Sequence, residues 1–107
     1  MNIVCKYLVP NGYAAITIFP FVFYKYKRYI TPSTDNHEKI HLKQQKEMLV
    51  IPFFIWYGLE YLVRLFQNSG NHSKAYRNIS FEREAYSNES NLKYLKSRKF
   101  YNWLKYL

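Results

Sequence analysis

His37-Glu38-Lys39-Ile40-His41 places two histidines four residues apart, with a glutamate next to the first. On a helix such positions lie about 40° apart around the axis and nearly one turn apart along it, so both imidazoles can reach one metal ion. The glutamate between them projects to the side, where it can take a proton from water on that metal. The chemistry suited to this spacing is metal-assisted hydrolysis, with His37 and His41 as ligands of Zn2+ and Glu38 as general base. The chain of 107 residues has 3 histidines and 1 cysteine. With Cys5 alone, neither an intrachain disulfide nor a cysteine-based zinc site can form, so any metal must sit on His, Asp or Glu. His72, in the polar stretch of residues 67–74, reads as a solvated loop histidine.

A catalytic zinc keeps three protein ligands and one open position. The third ligand is expected downstream, in Phe81-Glu82-Arg83-Glu84-Ala85-Tyr86. Two glutamates two residues apart face different sides of a helix, so only one of them should point at the metal.

His37-Glu38-x-x-His41-x-x-Gln44, followed downstream by Phe81-Glu82-Arg83-Glu84-Ala85, resembles the minimal gluzincin metallopeptidases, compact proteins similar to the metal-binding core of larger gluzincins. The resemblance covers roughly residues 12–95. It implies a third ligand on a second helix, often within E-x-x-A-D. Laid on this chain, that ligand is Glu82, with Ala85 at the small-residue position and Glu84 as the runner-up. It also implies an apolar strand ahead of the motif helix, matching residues 16–23, and gives Gln44 a place in the extended motif. Tyr86 stands where many gluzincins carry an aspartate that supports a ligand histidine. Asp35, Asn36 or a backbone carbonyl is left to do that work.

The elements that must position these residues are legible in outline. Residues 14–24 are apolar and rich in β-branched and aromatic types, which predicts one or two short strands, with Pro20 at an edge, a bulge or the break between them. Thr31-Pro32-Ser33-Thr34-Asp35-Asn36 is a cluster of turn and cap formers, so a helix should start there, with Ser33, Thr34 or Asp35 as N-cap. That helix is expected to run through the motif and into Ile51. Residues 48–66 are apolar except for Glu60 and Arg64, which makes them a membrane-span candidate by length. A straight helix from His41 to Phe66 would carry the chain about 37 Å away from the metal. A bend at Pro52, and another at Gly58, would let it fold back so that Glu82 can return. Ser80 is a good N-cap for a further helix, and residues 92–107 read as helix with Leu92, Leu95, Tyr101, Leu104 and Leu107 as apolar contacts. The fold expected is α+β, mainly helical: a short N-terminal strand or hairpin, a zinc-binding helix, a bent apolar helical segment and a C-terminal helix carrying the third ligand, in one domain over residues 1–107.

Net charge is +9 and aromatic content 21%. The basic residues are dispersed, which suits plain solubility or contact with an anionic membrane surface or bilayer; they carry no nucleic-acid-binding signature, so no nucleic acid is expected as partner. No ordinary signal peptide opens the chain, because Lys6 interrupts its first apolar stretch and Pro10-Asn11-Gly12 ends it in a turn. Location is therefore expected to be membrane-associated or cytoplasmic. The leading expectation is a zinc metallopeptidase acting on peptides or proteins. The alternative is a non-catalytic membrane-associated or structural protein, with or without a structural zinc.

Overall fold

Residues 15–24 form two strands joined through a tight turn. The computed structural model describes residues 2–107. β2 (Ala15–Ile18) and β3 (Phe21–Tyr24) pair antiparallel, Ile16 opposite Phe23 and Thr17 opposite Val22. Pro20 sits in the turn between them, after a cis peptide bond to Phe19, so of the places proline could occupy it takes the break between strands. β1 (Asn2–Val4) adds on the other side of β3, parallel to it, to give the order β1-β3-β2. At three residues, β1 is too short to show alternation and has no sequence signal of its own. β3 is thus the central strand and β2 an edge. Val22, Tyr24 and Thr17 are buried from this sheet.

α1 (Pro32–Glu47) carries the motif. Its N-cap is Thr31, whose hydroxyl accepts the Thr34 N–H at 3.1 Å, rather than Ser33, Thr34 or Asp35. The cap lies earlier than expected because Pro32 is preset for the first helical position, where its missing N–H goes unneeded. α1 does not run on into Ile51. It ends in a Schellman closure, with the Val50 N–H on the Gln45 carbonyl at 2.7 Å and the Leu49 N–H on the Lys46 carbonyl at 3.3 Å. Leu49 takes the left-handed conformation, φ 60, that this closure needs.

α2 (Ile51–Gln67) then leaves at 113° to α1. The bend falls just ahead of Pro52, not at it, and Gly58 lies inside an unbroken helix. The cause is still the proline. It cannot donate a helical hydrogen bond back to Met48, so the chain stops, turns and restarts with Pro52 in the first turn. No single helix among the described residues is long and apolar enough to cross a membrane; the α1–α2 pair reaches the required length and composition only across its bend.

α3 (His72–Asn78) and α4 (Ser80–Asn88) bring the chain back. Ile79, not Ser80, caps α4; the Ser80 hydroxyl and N–H both donate to the buried Glu60 carboxylate at 2.6 Å. Beyond it the expected long C-terminal helix is replaced by one turn, α5 (Tyr94–Ser97), and a 3₁₀ turn at Asn102–Tyr106. The tail has a tertiary task instead. Trp103 joins Met48, Phe53, Ile79 and Phe81 in the core, and the Arg98 guanidinium binds Glu47 and Glu84. The result is an α+β fold, mainly helical, with a small N-terminal sheet packed on α1.

Candidate metal centre

α1 buries a polar stripe where most amphipathic helices bury an apolar one. His37, His41 and Gln44 lie at i, i+4 and i+7 and face α4; Glu38 and Gln45, seven apart, face β2. All five are buried, and burial of polar groups requires partners. Each has them.

The Nε2 atoms of His37 and His41 lie 3.2 Å apart, and Glu82 Oε1 lies 3.2 Å from the first and 3.1 Å from the second. Glu82 stands on the first turn of α4, as the two-helix arrangement requires. The outer nitrogens are also held. His37 Nδ1 faces Glu89 Oε1 at 2.9 Å, a carboxylate that can only accept. His41 Nδ1 faces Gln44 Oε1 at 2.8 Å. The Gln44 amide is oriented by its Nε2, which donates to the Phe81 carbonyl and to Glu84 Oε1. Both Nδ1 atoms therefore carry the hydrogen, and in the neutral rings both Nε2 atoms present lone pairs. With both rings neutral, three electron-pair donors would meet, so the site calls for a positive charge at its centre, a proton or a metal ion. Burial works against charge on His41, yet the Glu82 carboxylate outweighs it and pushes the His41 pKa up to about 9. Burial would likewise raise Glu82, but His41 and His37 hold its carboxyl well below the usual range.

The donors fit a zinc ion. Around tetrahedral Zn2+ with bonds of about 2.0–2.1 Å, neighbouring ligand atoms lie about 3.3 Å apart. Two imidazoles and a carboxylate are also a donor set that catalytic zinc uses. Glu38 is close enough to form a metal-sized cluster with the two histidines, all ligand atoms lying within 4.8 Å. Its Oε2 is, however, 3.9 Å from His37 Nε2, and its Oε1 accepts the Thr17 hydroxyl at 2.8 Å. Glu82 is the nearer carboxylate; Glu38 stands beside the cluster.

Of the other residues singled out, Glu84 points away from the centre. Its carboxylate is taken by Arg98, Tyr94 and Gln44, so it is no ligand but helps fix Gln44. Asp35 supports neither histidine; it accepts from Tyr24 and Asn2 and pairs with Lys39. Asn36 holds the end of α4, its amide shared among the carbonyls of Asn88, Glu89 and Asn91. The Tyr86 and His37 rings meet edge to face at 4.5 Å, and the Arg77 guanidinium lies over the Tyr86 ring at 3.8 Å. The support expected at position 86 comes from Glu89, two helical turns beyond Glu82 and on the same face. Tyr57 is a partner that sequence reasoning missed: its hydroxyl donates to Glu82 Oε2 at 2.8 Å and leaves Oε1 for the histidines.

A cleft opens beside the cluster. A cavity of about 410 Å³ reaches Glu38, His41 and Glu82 and is otherwise largely apolar, with Ile16, Phe53, Tyr57, Tyr61 and Tyr76 in its walls. A second, of about 620 Å³, reaches His37, Glu38 and Glu89. His72 borders both, at the start of α3 rather than in a loop, with the Tyr13 and Tyr61 hydroxyls on its two ring nitrogens at 2.8 Å. The β2 edge runs along the cleft. The Lys25 N–H bonds the Ala14 carbonyl, a phase that points the backbone groups of Ala15 and Thr17 away from β3. Gln45 takes the Thr17 carbonyl at 2.7 Å and accepts the Phe19 N–H. Ala15 and the Thr17 N–H are left facing outward.

Comparison of the chain with protein-family models, with curated proteins and with solved structures finds no match.

Proposed function

We propose that the protein is a zinc-dependent metallopeptidase of the gluzincin type. The observation that carries this reading is the meeting of His37 Nε2, His41 Nε2 and Glu82 Oε1 at 3.1–3.2 Å, with each imidazole held from behind and Glu38 alongside. Bound there, Zn2+ would supply Lewis acidity toward a scissile carbonyl and the attacking water. Glu38 accepts the proton of that water and delivers it to the leaving amine. The Thr17 hydroxyl fixes one Glu38 oxygen and leaves the other free for this transfer. Tyr57 holds Glu82 from its outer oxygen. An extended peptide can pair with the outward backbone groups of Ala15 and with the Thr17 N–H, as strand addition requires. Its apolar side chain would enter the aromatic-walled cavity next to Glu38.

Elemental analysis tests the site and an activity assay tests the chemistry. The wild-type chain should carry one zinc, and Glu82→Ala should lose it. Glu38→Gln should keep the zinc and lose hydrolysis of an unstructured peptide library by about 100-fold or more. A wild-type protein that purifies without stoichiometric zinc and takes up none when supplied sinks the proposal. One that binds zinc but cleaves nothing leaves the metal a structural role and removes the catalysis.

A further inference from the structure

α2 is apolar on the side that the protein does not use. Phe53, Tyr57, Glu60, Tyr61 and Arg64 turn inward to the core, Glu82 and Ser80. Ile51, Ile55, Leu59, Leu62, Val63 and Phe66 fall within an arc of about 120° on the opposite side. All six are exposed, Ile51 at 71% and Phe66 at 90%, and no charged residue interrupts them. A continuous apolar stripe along 17 residues of helix is well beyond the scattered exposed leucines of an ordinary surface.

Charge selects what covers it. All seven acidic side chains are held by the protein's own hydrogen bonds or ion pairs. Of the 16 Lys and Arg, only Lys39, Arg64 and Arg98 pair with a carboxylate among the described residues. Negative charge is thus satisfied internally, while most positive charge faces solvent. A second copy of this chain would bring a +9 body against another; an anionic lipid surface attracts it. Trp56 at the rim of the stripe suits the polar–apolar boundary of a bilayer. We infer that α2 is a membrane-docking helix that lies in the plane of an anionic bilayer, its apolar stripe in the acyl boundary and the net positive charge of the chain drawing it to the headgroups. Phe54 and Gly58, along one margin of the stripe, also line the cavity next to Glu38, so the cleft opens at the lipid surface.

Vesicle sedimentation of the full chain tests this without reference to zinc or hydrolysis. Wild type should pellet with vesicles of mixed phosphatidylcholine and phosphatidylglycerol, and much less with phosphatidylcholine alone. Leu59→Glu and Phe66→Glu should each weaken partitioning on the order of tenfold. Both sites are exposed, and an unchanged circular dichroism spectrum should accompany the loss; Leu62→Gln is the milder second probe if either variant unfolds. Trp56 emission should be quenched by bromine-labelled acyl chains. Wild type that stays in the supernatant overturns the inference. So does pelleting that these variants leave unchanged, which would mean that basic charge alone binds. A wild-type dimer that the variants turn into monomers, with no vesicle binding, would give the stripe to a second copy instead.

Discussion

Glu89→Ala is the sharpest probe of how the centre is held. Glu89 touches no other member of the cluster; it acts only through His37 Nδ1, at 2.9 Å. It occupies the role that the sequence leaves open at Tyr86. A hydrogen bond to a charged group contributes about 1.5–3 kcal/mol. The Glu89 side chain is 30% exposed, so water replaces part of what it does, and the lower end, about 1.5 kcal/mol, applies. That corresponds to an increase of about tenfold in the zinc dissociation constant. Outer partners of metal-bound histidines generally account for about 10–100-fold. Glu89→Gln keeps an acceptor at Nδ1 and loses only its charge, so its effect should be smaller, roughly threefold. The assay is a competition titration against a chromogenic chelator, with thermal melts of the zinc-free proteins to show equal folding. A Glu89→Ala constant within about twofold of wild type would refute the reasoning, because the outer bond would then have no bearing on the metal.

Tyr57→Phe removes the hydroxyl on Glu82 Oε2 and keeps the ring stacked on Phe81; zinc affinity should fall about fivefold to tenfold, with stability little changed, read by the same titration beside a urea melt. Arg98→Ala leaves Glu47 and Glu84 buried without their cation, the Arg98 side chain being 1% exposed; urea unfolding should show a loss of about 3–5 kcal/mol. The Glu84 carboxyl is pushed up by burial, but Arg98, Tyr94 and Gln44 outweigh that and hold it below its ordinary value of 4.5. A carboxyl lowered in the folded state adds stability above its unfolded pKa and loses it as pH falls through the folded one. Stability of the wild type should therefore decline as pH drops below 4.5, and Glu84→Gln should flatten that decline in urea melts taken across pH.

What could be read in the sequence was local. His37 and His41 face one point because they are four residues apart on a helix, and the turn and cap formers of residues 31–36 announce that helix, although the cap itself, Thr31, is not one of the residues expected. The α+β layout followed from the apolar strand region, the motif and the long apolar stretch. The break between α1 and α2 was legible as the consequence of Pro52, but its site was not, since a proline can kink a helix or lie just inside the start of the next one. The partners that hold the candidate centre are of another kind. Thr17 and Tyr57 reach it from a strand and from the next helix, and Arg98, from the C-terminal tail, acts at one remove by fixing Glu84, which holds Gln44. Nothing in their local spacing marks them, because the sheet and the bend decide which of them arrive. Glu89 is the intermediate case. Its spacing of seven from Glu82 puts it on the same face, but it lies at the C-cap, just past the end of α4 at Asn88, where helical spacing is a weaker guide. A candidate ligand glutamate on a helix therefore gives reason to test carboxylates one and two turns further on as partners of the histidines beside it.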